Sequence, residues 1–168
     1  MPSKQSFILK NEMLGADRPY LIKLDRQTST LDIFRKCTQE RLYNDFPIKR
    51  TFNVSAYTIF ECERFFPCIF GGETPPTPSG IFHVESKSER EYISSYYPNY
   101  EQVKFFGYLA IFEDYFIHSD LYNVSELSPV IDRSISRMDK ATSGCVRVSQ
   151  ENLSWLIENI DVGALVLL

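Results

Sequence analysis

Apolar and polar residues alternate along most of this chain in short runs of strand length. Tyr20–Leu24 (YLIKL) and Thr30–Phe34 (TLDIF) are two such runs, separated by the polar stretch Asp25–Ser29, which is the pattern of a hairpin. Strand-like character continues through Asp45–Val54 and Tyr57–Phe60. From Gly71 to Gly80 closely spaced glycines and prolines rule out both a helix and a central strand, so this stretch is a loop. Ile81–Glu85 then reads as a strand, and the polar, Tyr-rich Ser86–Tyr100 as a surface excursion. Phe105–Phe112 and Tyr115–His118 form a further strand pair turning at Glu113-Asp114. Residues before Pro19 read as an arm or short lead-in. The organisation expected is a lead-in over 1–18 and one domain over 19–168.

The end of the chain is the most regular part. Leu121–Lys140 is polar, with room for a short helix, and reads as a lid-like insertion. Cys145–Val148 is a short strand, and Ser149 is a helix N-cap. Leu153, Leu156, Ile157 and Ile160 then recur at the spacing of an amphipathic helix. Gly163 is expected to stop that helix, and Ala164–Leu168 to form a buried final strand. The chain is 14% aromatic, mostly Phe and Tyr, which suits pleated surfaces. These elements predict a mainly β fold with one clear helix near the C-terminus.

Charge and composition narrow the function. The formal net charge is −4 and no Lys/Arg cluster stands out, so nucleic acid is not an expected partner. The longest apolar runs are far too short to cross a bilayer. The N-terminal stretch lacks the apolar core of a signal peptide, so either the protein is cytosolic or its export segment lies outside this chain. Four cysteines (Cys37, Cys62, Cys68 and Cys145) form no C-x-x-C pair, and His83 and His118 are the two histidines, so neither zinc nor another metal is expected. Cys62 and Cys68 could pair in an oxidising compartment; buried free thiols are the simpler expectation.

The candidate chemistry converges on Thr142-Ser143-Gly144-Cys145-Val146-Arg147. A glycine before the cysteine permits a sharp turn and close approach of a substrate. Such a turn can aim backbone N–H groups at one point, as an oxyanion site requires. Arg147, two residues on, is expected on the same face of a strand as Cys145, where it would favour thiolate and hold a substrate carboxylate. His118 ends an apolar strand and opens into a polar loop, which suits a base meeting a thiol from another strand. His83 is its rival, and its mid-strand position favours a structural or surface role.

Thr77-Pro78-Ser79-Gly80-Ile81-Phe82 resembles the T-P-T-G-x-F signature of L,D-transpeptidase catalytic domains of the YkuD type. Ile117-His118-Ser119 is similar to that family's histidine strand, and Thr142–Arg147 to its nucleophile motif. The closing helix and V-G-A-L-V-L-L also resemble the family pattern. The resemblance implies a β-sandwich or open barrel in which Cys145 is the nucleophile, His118 the general base and Gly144 part of the catalytic turn. Many members carry a second histidine where this chain has Ser143, so the oxyanion site is expected to rely on the N–H groups of Gly144 and Cys145. Arg147, Ser143, Ser119 and Tyr108 are the implied substrate-binding residues; Tyr108 reads first as packing in the sheet. The separation of His118 from Cys145 implies an insertion across Asp120–Thr142.

The activity implied is cleavage of a peptidoglycan stem peptide through an acyl-thioester, with no cofactor, followed by 3–3 cross-linking to a neighbouring stem. Carbapenem sensitivity comes with that chemistry. Action would be extracytoplasmic, in the cell wall or periplasm, with any membrane association through a segment outside this chain. The alternatives are L,D-carboxypeptidase or other thiol amidase action, and a non-catalytic cell-wall-binding domain.

Overall fold

A computed structural model describes residues 6–37, 56–73, 76–95 and 102–168. Two sheets carry the fold. The first orders its strands β1-β4-β3-β2-β10-β5 and the second β6-β7-β8-β9. β1 is Ser6–Lys10, β2 Tyr20–Asp25, β3 Thr30–Lys36, β4 Tyr57–Pro67 and β5 Ile81–His83. β6 is Ser86–Ser94, β7 Val103–Phe112, β8 Tyr115–His118, β9 Val146–Arg147 and β10 Leu165–Leu167. Helix α1, Gln150–Asn159, is the α-helix among the described residues. The architecture is mainly β, as expected.

One core joins the sheets and the helix. Ile22, Leu24, Leu31 and Ile33 from the first sheet meet Leu109, Ile117 and Val146 from the second, with Leu153, Leu156 and Ile157 of α1 between them. The expected apolar stripe is thus the buried face of the helix. Ser149 caps it as expected: its side chain accepts the Asn152 N–H at 3.2 Å. Because strand side chains alternate, the residues flanking Ile117, Phe116 and His118, point away from this core. They join Val103, Phe105 and Leu121 in a separate aromatic cluster on the outer face of the second sheet. That face is where the candidate residues lie.

Several expectations change. Ser86–Ser94 is not a surface excursion but an edge strand, paired to β7 with a register shift between Ser88 and Glu91. Edge strands tolerate charge on their open side, so apolar alternation is weak there. The run Ile81–Glu85 is split: Ile81–His83 pairs with β10, then Val84 N–H reaches Ala164 O and Glu85 N–H reaches Ala110 O as the chain crosses between sheets. Helix α1 stops at Asn159 rather than at Gly163, which instead donates its N–H to Val84 O. The lead-in supplies a strand of its own, β1, paired antiparallel to β4. The expected strand Asp45–Val54 lies outside the described residues. Cys62 and Cys68 are free thiols. Six residues apart along extended chain, they are separated by roughly 20 Å, beyond the reach of a disulfide.

The end of α1 is held from the neighbouring sheet. Lys87 Nζ on β6 donates to Ile157 O and Ile160 O, each at 2.7 Å, satisfying carbonyls that a helix end leaves open. Lys87→Met is expected to lower the unfolding free energy by about 2 kcal/mol, the usual worth of charge-assisted bonds at a half-buried site. Urea denaturation with an unchanged slope would check this; an unshifted midpoint would remove the lysine as a staple.

Candidate active site

The site is built on the pairing of β8 with β9. These short strands run parallel, with Ile117 opposite Val146 and His118 opposite Arg147. Cys145, the residue before β9, therefore lies beside Phe116. Its Sγ accepts the Phe116 N–H at 3.4 Å and lies 3.7 Å from Asp114 O. Cys145 and His118 line one cavity of about 470 Å³, with Tyr92, Phe105, Asp114 and Tyr115 among its walls. Ser143 lines it too.

The loop before Cys145 is tied down by two threonines. Thr77 Oγ1 accepts the Gly71 N–H and donates to Gly144 O, both at 2.7 Å. Thr142 Oγ1 donates to Cys145 O and accepts the Gly144 N–H, the latter at 3.2 Å. Gly144 itself has φ +115, and a Cβ there would lie 2.5 Å from a ring carbon of Tyr115. The glycine is thus required twice, by its backbone conformation and by the ring packed on it. The expectation that its N–H serves an oxyanion is corrected: that donor is already spent on Thr142.

His118 is buried, with its ring stacked on Phe105 at 4.3 Å between centroids. Its Nδ1 lies 2.6 Å from Ser119 O. A carbonyl only accepts, so Nδ1 carries the proton and Nε2 is left as the acceptor. Burial, with the Arg147 charge adding and the Ser119 bond opposing, pushes the imidazole down to about 3. The Cys145 thiol is pushed up from its ordinary value by burial; the Phe116 N–H and Arg147 oppose this and Asp114 adds to it. At rest the pair is a neutral thiol and a neutral imidazole, not the thiolate expected from a nearby cation.

The remaining candidates are placed differently from expectation. Arg147 is buried and bonded to Asp139 at 3.1 Å. It lines a second cavity of about 590 Å³, with Asp120, Ser136 and Gln150 among its walls, rather than the thiol's cavity. It acts on Cys145 and His118 through its charge, and the carboxylate clamp expected of it is not where the thiol is. Ser119 is buried, and its hydroxyl donates to Gln150 Oε1. Tyr108 packs against Tyr92 and Phe116 at 5.5 and 5.2 Å and is not among the residues lining the thiol's cavity. His83 Nε2 lies 3.2 Å from Leu14 O, a structural contact, and His83 is not among the residues lining the cysteine's cavity. The insertion contributes Leu121 to the thiol's cavity and lines the second with Tyr122, Ile131 and Asp139. Asp114, Phe116 N–H and Gln150 are participants that local patterning did not single out, and Thr77, quoted as the start of a family signature, had no role assigned, because their partners lie far along the chain. Among the described residues no group of three His, Cys, Asp or Glu side chains converges as metal ligands would.

The fold is similar to those of solved structures. The chain superposes on an L,D-transpeptidase from Mycobacterium smegmatis with a TM-score of 0.56 and 16% identity, covering 89% of this chain and 58% of that one. L,D-transpeptidase 3 from Mycobacterium tuberculosis gives 0.56 and 15%, covering 89% and 60%. An L,D-transpeptidase in complex with imipenem gives 0.57 and 16%, covering 89% and 58%. The chain therefore spans less than two thirds of these proteins, and at such identities the likeness is one of fold. No curated protein matches it in sequence. The family model for the YkuD L,D-transpeptidase catalytic domain matches residues 51–168, which include the threonine loop, the histidine strand and the cysteine turn. With that match extending over more than half its length, the chain belongs to the YkuD family of L,D-transpeptidase catalytic domains.

Proposed function

We propose that this domain is a cysteine-dependent peptidoglycan L,D-transpeptidase that works through an acyl-thioester on Cys145 and forms 3–3 cross-links, acting outside the cytoplasm. The observation that carries the reading is one cavity lined by a thiol and by an imidazole whose Nδ1 proton is committed to Ser119 O. In the first step Sγ attacks the carbonyl of the third stem residue while its proton moves to His118 Nε2. The tetrahedral oxyanion takes a backbone donor, for which the Cys145 N–H remains once the Gly144 N–H is assigned to Thr142. Collapse breaks the C–N bond, and His118 gives its proton to the departing D-amino acid amine. A second stem's amine then attacks the thioester, loses a proton to His118 and releases the thiol. Asp114 is the one fixed-charge side chain among the described residues of the cavity wall, which favours neutral or cationic substrate parts there.

Muropeptide turnover read by mass spectrometry tests this reading. Cys145→Ala is expected to abolish turnover with the fold intact, whereas Cys37, Cys62 and Cys68 changed singly to Ser keep it. Release of D-alanine without cross-linked dimers would replace the transpeptidase with a carboxypeptidase. Binding without any release would leave a non-catalytic cell-wall domain. Imipenem is expected to add its intact mass once, on Cys145; an adduct on another cysteine contradicts the assignment.

His118→Ala is expected to slow acylation by roughly 10²–10⁴-fold. The pH profile carries a finer test. His118 stays neutral down to about 3, so it contributes no acid limb near neutrality. The thiol ionises above its ordinary 9.0, so thiolate accumulates only on the alkaline side. Acylation by imipenem should be flat between about pH 5 and 8 and rise beyond. A step near 6.5 that vanishes in His118→Ala would mean a solvated imidazole instead. Gly144→Ala should cut acylation by about 10²-fold, because the added methyl displaces either Tyr115 or the thiol. A parental rate would free the turn of that constraint.

A further inference from the structure

Gln150, Ser119 and His118 are joined by hydrogen bonds, and a backbone carbonyl at each end fixes their directions. At one end is Phe106 O on β7. A carbonyl only accepts, so the Gln150 amide presents Nε2 to it, at 2.9 Å. This turns Gln150 Oε1 onto Ser119 Oγ, which must be the donor. Ser119 O in turn receives Nδ1–H of His118 at 2.6 Å. The polarity fixed at Phe106 thus runs as far as the Ser119 hydroxyl, and the same residue's carbonyl, which can only accept, meets the base.

The need for such a support lies in where the ladder ends. Val148 N–H reaches His118 O at 2.9 Å, and the β8–β9 register stops at His118 opposite Arg147. Ser119, the next residue, is outside the strand, and its carbonyl has no ladder position to hold it. Its hydroxyl is buried, where an unmet donor is costly, so the bond to Gln150 gives the residue one preferred setting. Gln150 is the first residue of α1, a helix anchored in the core by Leu153 and Leu156. It lines the second cavity and is not among the residues lining the thiol's, so it acts on the chemistry from outside that cavity.

We propose that Gln150 is a positioning residue for His118: by holding the Ser119 hydroxyl against the start of α1, it keeps the Ser119 carbonyl on Nδ1 and the lone pair on Nε2. This rests on the reading of His118 as the base. With Gln150 removed, the peptide after His118 can turn, the Nδ1 partner weakens, and the imidazole can carry its proton on Nε2. In that tautomer it cannot take the thiol's proton through Nε2. Gln150→Glu keeps the shape but puts a second acceptor against Phe106 O when ionised. Once protonated, the carboxyl again donates to Phe106 O and accepts from Ser119.

The test reads the ring nitrogens directly. Nitrogen-15 spectra of the histidines in the whole chain, with His118 assigned by its loss in His118→Ala, report the tautomer whatever the activity. The parent is expected to show the Nδ1–H form alone. Gln150→Ala should show a mixture, with acylation by imipenem slower by about 10- to 100-fold. Gln150→Glu should be slow at neutral pH and recover relative to the parent as pH falls. If Gln150→Ala does not fold, Gln150→Glu is read by the same two measures. A folded variant with the parental tautomer, whether its rate falls or not, overturns the proposal. A changed tautomer with a parental rate upholds the positioning and overturns His118 as the base.

Discussion

The parallel pairing of β8 with β9 is the constraint on which the site depends. Two parallel strands cannot be joined by a tight turn, so the chain must leave after His118 and return before Cys145 by a long connection. The segment from Ser119 to Cys145 is that connection. It is bound along its length: Ile135 N–H to Leu121 O, Asp139 to Arg147, and Thr142 N–H to Phe70 O. On its return, Cys145 is delivered beside Phe116, whose N–H reaches the sulfur. The same pairing seats Ile117 and Val146 in the main core. The strand alternation that buries these two turns His118 and Phe116 to the other face. Stability and site geometry are therefore set by one register.

Burial on that outer face fixes the resting charge state. Phe105 covers the imidazole and aromatic walls surround the thiol, so both groups lose hydration in their charged forms. Arg147 acts oppositely on the two, favouring thiolate and disfavouring imidazolium. A cation so placed does not support a resting ion pair. It supports an unprotonated base and a thiol that ionises as its proton is taken. Asp139, bonded to Arg147, ties this charge to the insertion.

Much of this was legible in the sequence. The helix over Gln150–Asn159 and the hairpin at Glu113-Asp114 declared themselves because their information is local: an apolar stripe, a cap, and two apolar runs around a polar turn. Cys145 and His118 were legible as motif residues, and the structure brings both to one cavity. What local pattern missed are the long-range contacts. Thr77 bonds a carbonyl 67 residues away. Gln150 bridges Phe106 and Ser119, and nothing in the helix pattern distinguishes it from a solvated glutamine. Arg147 was expected beside the thiol but lines the second cavity, because alternation gives a side chain its face and not its partner. β6 was lost because an edge strand has little apolar alternation to show.

Covalent capture tests the central claim most directly. The domain is mixed with a tetrapeptide-stem muropeptide in the absence of any acceptor stem, quenched in acid and weighed intact. The account predicts an added mass equal to the donor less D-alanine, carried by the peptide containing Cys145 and absent from Cys145→Ala. Donor turnover with no mass on Cys145, or equal turnover by Cys145→Ala, would contradict it.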